Sequence, residues 1–419
     1  MPYTGITTYF SNTDNPSTMS LKVLYAWELG DNYGHLSRGR AVGNALRKAG
    51  HPVLFAVRNT GIACDILSPA KLHFVQAPVH MRRGAFERSI LNYADILLAS
   101  GYDSDQGLLG LLSSWVSQMS LFGAQVVVAD HSPTALLAAR VLRIPVVIVG
   151  TGFEIPPDVS PFPKFYPSQT GVVPYSDGEV LERINRALRM HSAQPFEQLS
   201  ELFRCEERLI TSIGELDHYG HRSGVKYIGP LGSGNSRPEV TWMTTSQARV
   251  VAYLRGTEKR LTTVVSALEA LSAEAVCVFP DAELSNLPSH SHIRLFNTPV
   301  NISSALRSAS AVMSNGGAGV VNEALLAGIP LALFPQHDEQ LMGSKKVAEI
   351  GAGLVLSEAS GADAIVEALR LLAGDGRFRQ AARNLAKANV LKDQKQAAME
   401  TVLAIERASL LSPGLKSTT

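Results

Sequence analysis

The chain has 419 residues, which is enough for two ordinary domains with separate hydrophobic cores. Hydrophobic residues make up 45% and charged residues 18% of the sequence, as in a typical globular protein. The formal net charge is +1, and this balance gives no reason to expect DNA or RNA as a partner.

The cysteine usage favours a reducing environment. Cys64, Cys205 and Cys277 lie far apart and are odd in number, so they predict neither a disulfide framework nor a Cys-rich zinc site. Reduced thiols fit a cytoplasmic protein, and the cytoplasm is the predicted location.

The sequence predicts neither a secretion signal nor a membrane-spanning segment. Residues 1–20 are polar and lack an apolar core, which indicates a flexible tail. The most apolar stretch, residues 108–122, is interrupted by serines and a glutamine and is shorter than the roughly 20 residues that a spanning helix needs. Contact with a membrane surface is left open.

The first half of the chain alternates short apolar runs with helical patterns. Strands are predicted at residues 21–27, 53–57, 125–129 and 145–149. Helices are predicted over residues 36–49, where Gly50 supplies a stop, and over 133–142. Buried strands separated by helices are typical of a parallel sheet that is covered on both faces.

Two stretches break this rhythm. Residues 151–176 are rich in proline and aromatic residues, which is typical either of a functional loop or of a surface excursion over the core. Residues 227–240 are rich in glycine and proline and predict an interdomain linker.

The alternation restarts after the linker. Strands are predicted at residues 249–254, 275–279, 293–296, 311–314 and 330–334. Helices are predicted over residues 260–271, 302–308, 320–327, 343–350, 362–373 and from 378 into the tail. Two doubly wound domains joined by a linker imply a cleft between them, where ligands usually bind.

The most informative stretch is the glycine-rich turn at residues 314–319, between a strand and a helix. Glycines allow a close approach of the backbone, and a helix N-terminus presents free N–H groups to an anion. A diphosphate could bind there, although many such turns are purely structural. Glu323 lies one turn into the helix, where its carboxylate could accept ribose hydroxyls, and Glu339 and Gln340 follow the next strand.

Taken together, these residues resemble a known donor signature. Asn315-Gly316-Gly317, Glu323, Gly328-Ile329-Pro330, Pro335 and Glu339-Gln340 are similar to the motif of GT-B nucleotide-sugar glycosyltransferases, in particular the UDP-glycosyltransferase and macrolide glycosyltransferase superfamily. The resemblance implies an α/β fold of two Rossmann-like doubly wound domains that face each other across a cleft.

The resemblance also implies domain bounds. They are a flexible tail at residues 1–20, an acceptor-binding domain at 21–226, a linker at 227–240, a nucleotide-sugar-binding domain with C-terminal helices at 241–412, and a tail at 413–419. The loop at residues 151–176 is expected to help shape the acceptor pocket.

The resemblance assigns a donor-binding role to several residues. Asn315, Gly316, Gly317, Ala318 and Gly319 would surround the diphosphate. Glu323 would bind the ribose, and Glu339 and Gln340 the sugar hydroxyls. The remaining donor positions are Gly256 and Thr257 near the phosphates, and Pro299 and Val300 against the base.

Two positions depart from the family pattern. Asn315 stands where the family usually has histidine, which weakens a donor that would face the phosphates without removing it. Arg255 lies in a loop where the family has Ser-Leu-Gly, and it either supplies the missing positive charge or points to solvent. The departures leave the identity of the donor open.

The candidate catalytic base is His35. Gly34-His35 stands at a helix start and resembles the family's Gly-His, whose imidazole deprotonates the acceptor hydroxyl; an unperturbed pKa of about 6.5 suits this task. The resemblance gives Asp130 the role of orienting His35, as in a catalytic triad. His35 could instead be a packing residue and Asp130 a helix cap, and His131 is a rival base.

The sequence therefore predicts an inverting, metal-independent glycosyltransferase. It would move a sugar from a UDP- or dTDP-sugar to the hydroxyl of a small-molecule or lipid-linked acceptor. The nucleotide-sugar is a co-substrate, and no cofactor, metal or nucleic acid is expected. A hydrolysing sugar-nucleotide epimerase of the same fold and a non-catalytic nucleotide-sugar-binding protein are the alternatives.

Overall fold

The computed structural model describes residues 20–30, 33–81, 85–166, 176–232, 238–243, 248–390 and 394–411. The predicted tail at residues 1–20 lies outside these ranges except for Ser20, and the tail at 413–419 lies wholly outside them. Residues 167–175 of the aromatic loop and 233–237 of the predicted linker lie outside them as well.

The N-terminal domain is built on a parallel sheet with the strand order β3-β2-β1-β4-β5-β6-β7. Its strands are β1 (Val23–Trp27), β2 (Val53–Val57), β3 (His73–Gln76), β4 (Val126–Asp130), β5 (Val146–Gly150), β6 (Glu207–Ile210) and β7 (Lys226–Tyr227). Its helices are α1 (Tyr33–Lys48), α2 (Thr60–Leu67), α3 (Tyr93–Leu97), α4 (Asp105–Phe122), α5 (Pro133–Leu142) and α6 (Ser176–Met190).

The C-terminal domain has a second parallel sheet with the order β10-β9-β8-β11-β12-β13. Its strands are β8 (Arg249–Tyr253), β9 (Glu274–Val278), β10 (Ile293–Phe296), β11 (Ala311–Ser314), β12 (Leu331–Leu333) and β13 (Gly353–Val355). Its helices are α7 (Glu258–Ala270), α8 (Ser303–Leu306), α9 (Ala318–Leu326), α10 (Asp338–Glu349), α11 (Ala362–Gly374) and α12 (Gly376–Ala388). The predicted fold of two Rossmann-like doubly wound domains is confirmed.

Each sheet has a topological switch point where the chain reverses its direction of winding. In the first sheet this point lies between β1 and β4, where Trp27 pairs with Asp130. In the second it lies between β8 and β11, where Tyr253 pairs with Ser314. Because loops at switch points open a crevice at the carboxyl ends of the strands, the fold brings the candidate residues of both domains to one cleft.

The last helix crosses back to the N-terminal domain. Helix α13 (Gln394–Leu411) packs against α1 and against strands β4, β5 and β6. Val402 and Ile405 are buried in the same hydrophobic cluster as Val23 and Leu36. Helix α13, which the predicted bounds of 241–412 assign to the C-terminal domain, therefore completes the core of the N-terminal domain with its apolar face.

A second crossing contact follows β6. Ile213 and Leu216 lie in the segment that follows β6 of the N-terminal sheet, but they are buried in the core of the C-terminal domain. The side chain of Asn322 on α9 accepts from the backbone N–H of Ile213 at 3.3 Å and contacts the hydroxyl of Ser212 at 3.2 Å. The two domains are thus joined through packed side chains as well as through the linker.

None of the described helices combines the length and the apolar character that a membrane crossing would require.

Candidate active site

His35 lies at the cleft, in the first turn of α1. The helix begins just after the loop that leaves β1, so the sheet edge fixes the place of the imidazole. The residue is only 8% exposed, and its ring stacks on Trp27 with 5.4 Å between the ring centroids. A histidine held this way has a defined orientation and one edge on the cleft, which it lines.

Asp130 orients this imidazole. It is fully buried at the end of β4, and its Oδ1 lies 2.8 Å from Nδ1 of His35. A proton on Nδ1 that is donated to Asp130 leaves the lone pair on Nε2. Gly30, at φ +81°, leaves room for that nitrogen, because a Cβ there would lie 2.6 Å from Nε2 of His35. The pair has the arrangement that a general base requires.

The alternative role of Asp130 as a helix cap is not what the structure shows. The backbone N–H of Thr134, in the first turn of α5, donates instead to Glu28 at 2.9 Å, and the hydroxyl of Thr134 donates to the same carboxyl group. Burial raises the pKa of Glu28 to about 7 despite these hydrogen bonds. Glu28 rather than Asp130 therefore accepts these hydrogen bonds at the start of α5, and the carboxylate of Asp130 contacts His35.

Arg38 is a site residue that the sequence analysis missed. Its Nη2 donates to Oδ1 of Asp130 at 2.6 Å and its Nε donates to Oδ2 at 3.0 Å, while the hydroxyl of Tyr25 donates to Oδ2 at 2.6 Å. Residues three apart on a helix share one face. The i, i+3 spacing of His35 and Arg38 was therefore the sequence signal that the two side chains lie close together.

Glu154 is the second missed residue. Its Oε1 accepts from Nη2 of Arg38 at 3.3 Å, and its Oε2 accepts from both the backbone N–H and the hydroxyl of Thr151 at 2.8 Å. Glu154 is 2% exposed. No sequence pattern marks it, because its loop meets α1 only through the tertiary fold.

The charges in this cluster shift the two candidate catalytic groups in opposite directions. Burial opposes protonation of His35, but the carboxylate of Asp130 more than offsets it, so the pKa of His35 is raised. Burial would raise the pKa of Asp130, yet the positive charges of Arg38 and His35 hold this pKa well below its usual range. Asp130 stays ionised while His35 can accept a proton.

The rival base His131 has a different environment. It is buried in the left-handed region at φ +47°, near the rings of Tyr93 and Phe153. Burial lowers its pKa to about 4, and within the described part of the chain its Nε2 has no hydrogen-bond partner. His131 is not among the residues that line the cleft, so the geometry favours His35.

Part of the C-terminal face of the cleft is formed by backbone, at the glycine-rich turn. Gly317 precedes α9, which has no side-chain cap within the described chain, and Gly317, Ala318 and Gly319 line the cleft. Gly316 adopts φ +87°, and a Cβ there would lie 2.5 Å from Oγ of Ser344. The first N–H groups of α9 are therefore turned to a space that an anion can enter.

Asn315 lines the cleft but uses its amide within the protein. Its Oδ1 accepts from the backbone N–H of Arg255 at 2.7 Å, and its Nδ2 donates to the carbonyl oxygen of Phe334 at 3.1 Å. These bonds join the loops after β8 and β12 to the glycine turn. The residue that departs from the family pattern thus holds three loops together.

The remaining predicted donor residues fall into two groups. Glu323, Glu339, Gln340 and Val300 line the same cleft as His35. Gly256, Thr257 and Pro299 are not among its lining residues, and the hydroxyl of Thr257 accepts from the N–H of Arg260 at the start of α7.

Glu339 faces the N-terminal domain. Its Oε1 accepts from the hydroxyl of Thr151 at 3.2 Å, across the cleft. Burial and the nearby carboxylate of Glu154 raise the pKa of Glu339 to about 7. The proposed sugar-binding carboxyl therefore lies next to the charge cluster around His35.

Arg255 joins the two sides at the mouth of the cleft. Its guanidinium lies over the ring of Tyr33, 4.9 Å from the centroid, and 3.2 Å from the carboxylate of Asp281. Tyr33 belongs to α1 and Asp281 to the C-terminal domain. Of the two roles that the sequence left open for Arg255, these contacts do not fit a side chain that simply points to solvent, and they hold its cation beside the glycine-rich turn.

One group of side chains could by type hold a metal ion. Ligand atoms of His35, Asp130 and Glu154 lie within 4.8 Å of one another. The guanidinium of Arg38, however, donates to both carboxylates. The place of a cation between them is therefore taken by a side chain of the protein.

Sequence comparisons relate the chain to glycosyltransferases. Residues 262–404 match the family model of the erythromycin biosynthesis protein CIII-like C-terminal domain. A PGL/p-HBAD biosynthesis glycosyltransferase of Mycobacterium tuberculosis is 26% identical over 63% of this chain and 66% of its own length. An uncharacterized glycosyltransferase of Methanosarcina acetivorans is 24% identical over 85% of this chain and 91% of its own length.

Solved structures share the fold. The calicheamicin glycosyltransferase CalG4 superimposes with a TM-score of 0.72 at 17% identity, over 93% of this chain and 98% of CalG4. The spinosyn rhamnosyltransferase SpnG, complexed with thymidine diphosphate, has a TM-score of 0.64 at 19% identity, over 92% of this chain and all of SpnG. The resemblance to macrolide-type GT-B proteins and the prediction of a glycosyltransferase enzyme are confirmed.

Proposed function

We propose that this glycosyltransferase moves a sugar from a nucleoside-diphosphate donor to an acceptor hydroxyl by a single inverting displacement. One observation carries the proposal: the oriented imidazole of His35 and the open N-terminus of α9 line the same cleft from opposite domains. A base and an anion-binding site that face each other are what an in-line displacement requires.

In this mechanism Nε2 of His35 removes the proton from the acceptor hydroxyl. The ionised carboxylate of Asp130 stabilises the imidazolium that forms. The acceptor oxygen then attacks the anomeric carbon as the bond to the diphosphate breaks. The N–H groups at Gly317 to Gly319 stabilise the negative charge on the departing diphosphate.

The donor contacts follow from the lining of the cleft. Glu323, in the second turn of α9, would accept the ribose hydroxyls, and Glu339 and Gln340 would bind hydroxyls of the sugar. A pyrimidine nucleotide fits best with the neighbours, since SpnG is described in complex with thymidine diphosphate. We therefore propose dTDP- or UDP-sugars, and because Arg38 fills the cation position beside His35, we propose transfer without a metal ion.

The test compares His35→Ala with His131→Ala. The loss of a general base lowers kcat by roughly 10²- to 10⁴-fold, so His35→Ala should lose transfer yet bind UDP or dTDP with unchanged affinity. His131→Ala should keep most of the activity, since its ring does not line the cleft. Initial rates over a donor and acceptor panel and calorimetric titration with the nucleotides supply the measurements.

Two outcomes would overturn the proposal. Equal transfer by His35→Ala and the wild type would remove His35 as the base. Conversion of the nucleotide-sugar in the absence of any acceptor would favour the epimerase. The anomeric configuration of the product, determined by NMR coupling constants, decides between inversion and retention.

A further inference from the structure

The carboxylate of Asp130 is shared between His35 and other donors. Oδ1 accepts from Nδ1 of His35 and from Arg38, and Oδ2 accepts from Arg38 and from the hydroxyl of Tyr25. These four contacts use the approximately four acceptor positions of a carboxylate. Asp130 thus has a permanent cation as partner before His35 gains any charge.

When an arginine shares the carboxylate of a histidine–aspartate pair, a further negative charge is needed to stabilise the imidazolium. Arg38 compensates Asp130, and its positive charge lies 3.2 Å from Nδ1 of His35, where it opposes an imidazolium. Glu154 supplies the second carboxylate, 3.3 Å from Nη2 of Arg38. Two carboxylates and one guanidinium sum to −1, and protonation of His35 brings the cluster to zero.

We propose that Arg38 and Glu154 are a pair of positioning residues of opposite sign, which act on His35 together with Asp130 and set the pH range in which His35 serves as the base. Neither residue needs to touch the reacting atoms. The positive charge of Arg38 reduces the electrostatic stabilisation that Asp130 gives to the imidazolium, and the negative charge of Glu154 restores it. The proposal rests on the proposed function only for its activity readout, because the protonation of His35 can be measured without substrate.

The other groups around His35 leave this role to Arg38 and Glu154. His131, which follows β4, is neutral near pH 7, since burial lowers its pKa to about 4. Tyr25 on β1 is also neutral, because burial and then Asp130 raise its pKa. Glu339 on α10 faces the cluster through Thr151, and its pKa of about 7 leaves it only partly ionised near neutral pH.

The test uses variants that remove one charge each: Glu154→Gln keeps the size of the side chain, and Arg38→Gln shortens it. We expect Glu154→Gln to lower the protonation midpoint of His35, and Arg38→Gln to raise it, each by ~1 pH unit or more, as for other neighbouring charges. The double variant should return towards the wild type, because both charges are then absent. NMR titration of the His35 ring in the ligand-free protein, assigned by comparison with His35→Ala, supplies the measurement.

A matched control separates this effect from a loss of packing. Glu274 is 1% exposed and paired with Arg249, but it lies in the C-terminal domain far from His35. Glu274→Gln should leave the His35 midpoint unchanged. The acidic limb of kcat/KM against pH should move with the NMR midpoint in each variant that transfers sugar.

Each result decides one claim. Shifts of the same sign in the two single variants, or no shift in Glu154→Gln, would overturn the inference. If Arg38→Gln does not fold, the sign of the Glu154→Gln shift decides alone. If the His35 midpoint shifts in opposite directions in the two variants but the wild-type protein transfers no sugar, the roles of Arg38 and Glu154 stand and the proposed function is refuted.

Discussion

The two faces of the cleft use different chemistry. On the N-terminal face, four ionisable side chains contact one another in a buried cluster: His35, Arg38, Asp130 and Glu154. On the C-terminal face, the backbone of Gly317, Ala318 and Gly319 at the start of α9 forms part of the surface, beside separate side chains such as Glu323 and Glu339. The contrast fits the proposed tasks, since a proton needs a group that titrates, whereas a diphosphate needs fixed donors.

The difference teaches where each face is sensitive to mutation. On the N-terminal face, a change of charge alters reactivity even if the backbone stays in place. At the glycine-rich turn of the C-terminal face, we expect the path of the main chain to matter more than charge, because the N–H groups have to point at the proposed ligand. Substitutions at Gly316, Asn315 and Tyr33, with their comparison variants, test this contrast.

The largest effect is expected for Gly316→Ala. An alanine at φ +87° is strained, and its Cβ would lie 2.5 Å from Oγ of Ser344 and 3.1 Å from the carbonyl oxygen of Gln340. Strain of about 1–3 kcal/mol at this turn should weaken the binding of UDP or dTDP by up to ~100-fold. Calorimetric titration with the nucleotide measures the loss.

Gly351→Ala is the matched control for this substitution. Gly351 also has a positive φ, +76°, but no atom lies within 4 Å of its Cβ position and it does not line the cleft. It should lower the melting temperature and leave nucleotide affinity unchanged. Equal affinity losses in the two variants would show that the path of the glycine turn is not special.

A smaller loss is expected for Asn315→Ala. The substitution removes the partners of the Arg255 N–H and the Phe334 carbonyl, and unpaired buried groups of this kind cost about 1–3 kcal/mol. Because these bonds hold the loops around the proposed diphosphate site, nucleotide affinity should fall by roughly 10-fold. Measured affinity that is unchanged or higher would contradict the scaffolding role of the amide.

Asn315→His provides the informative comparison, since histidine is the usual family residue at this position. If nucleotide affinity depends on the hydrogen bonds of the Asn315 amide to the neighbouring loops, this variant binds nucleotide no better than Asn315→Ala. If affinity depends on a side-chain donor that faces the phosphates, the variant binds more tightly than the wild type.

The smallest effect is expected for Tyr33→Leu at the mouth of the cleft. The contact of the Arg255 guanidinium with the Tyr33 ring is worth about 0.5–1 kcal/mol at an accessible site. Its loss should raise the KM for the donor by ~2- to 5-fold and leave kcat nearly unchanged. A large fall in kcat would instead place Tyr33 in the chemistry.

Much of the fold could be predicted because the central strands are short apolar runs. The predicted strands at residues 53–57, 293–296 and 311–314 have the observed bounds, as does helix α5. Strand β3 has only partly buried or exposed residues, so no apolar run marked it. The prediction started this helix at residue 343, whereas α10 begins at Asp338. Its first turn carries polar residues that face the cleft, so no apolar spacing marked the start.

The candidate site divides in the same way. The glycine turn directly follows β11, and His35 lies in the first turn of the helix after β1; local spacing marks such positions. Glu154 and the partners of Asn315 come from loops that meet only after both sheets have formed. Pairing across 116 positions of the chain, as between Arg38 and Glu154, leaves no periodic signal in the sequence.

The return of α13 to the first domain has a consequence for biosynthesis. A ribosome releases the chain from its N-terminus, and domains usually fold in that order as they emerge. Here the first core stays open beside α1 until Val402 and Ile405 have been translated. The nascent protein therefore exposes an apolar groove throughout the synthesis of the C-terminal domain. Its folding ends when α13 packs into this groove and completes the N-terminal domain, which was translated first.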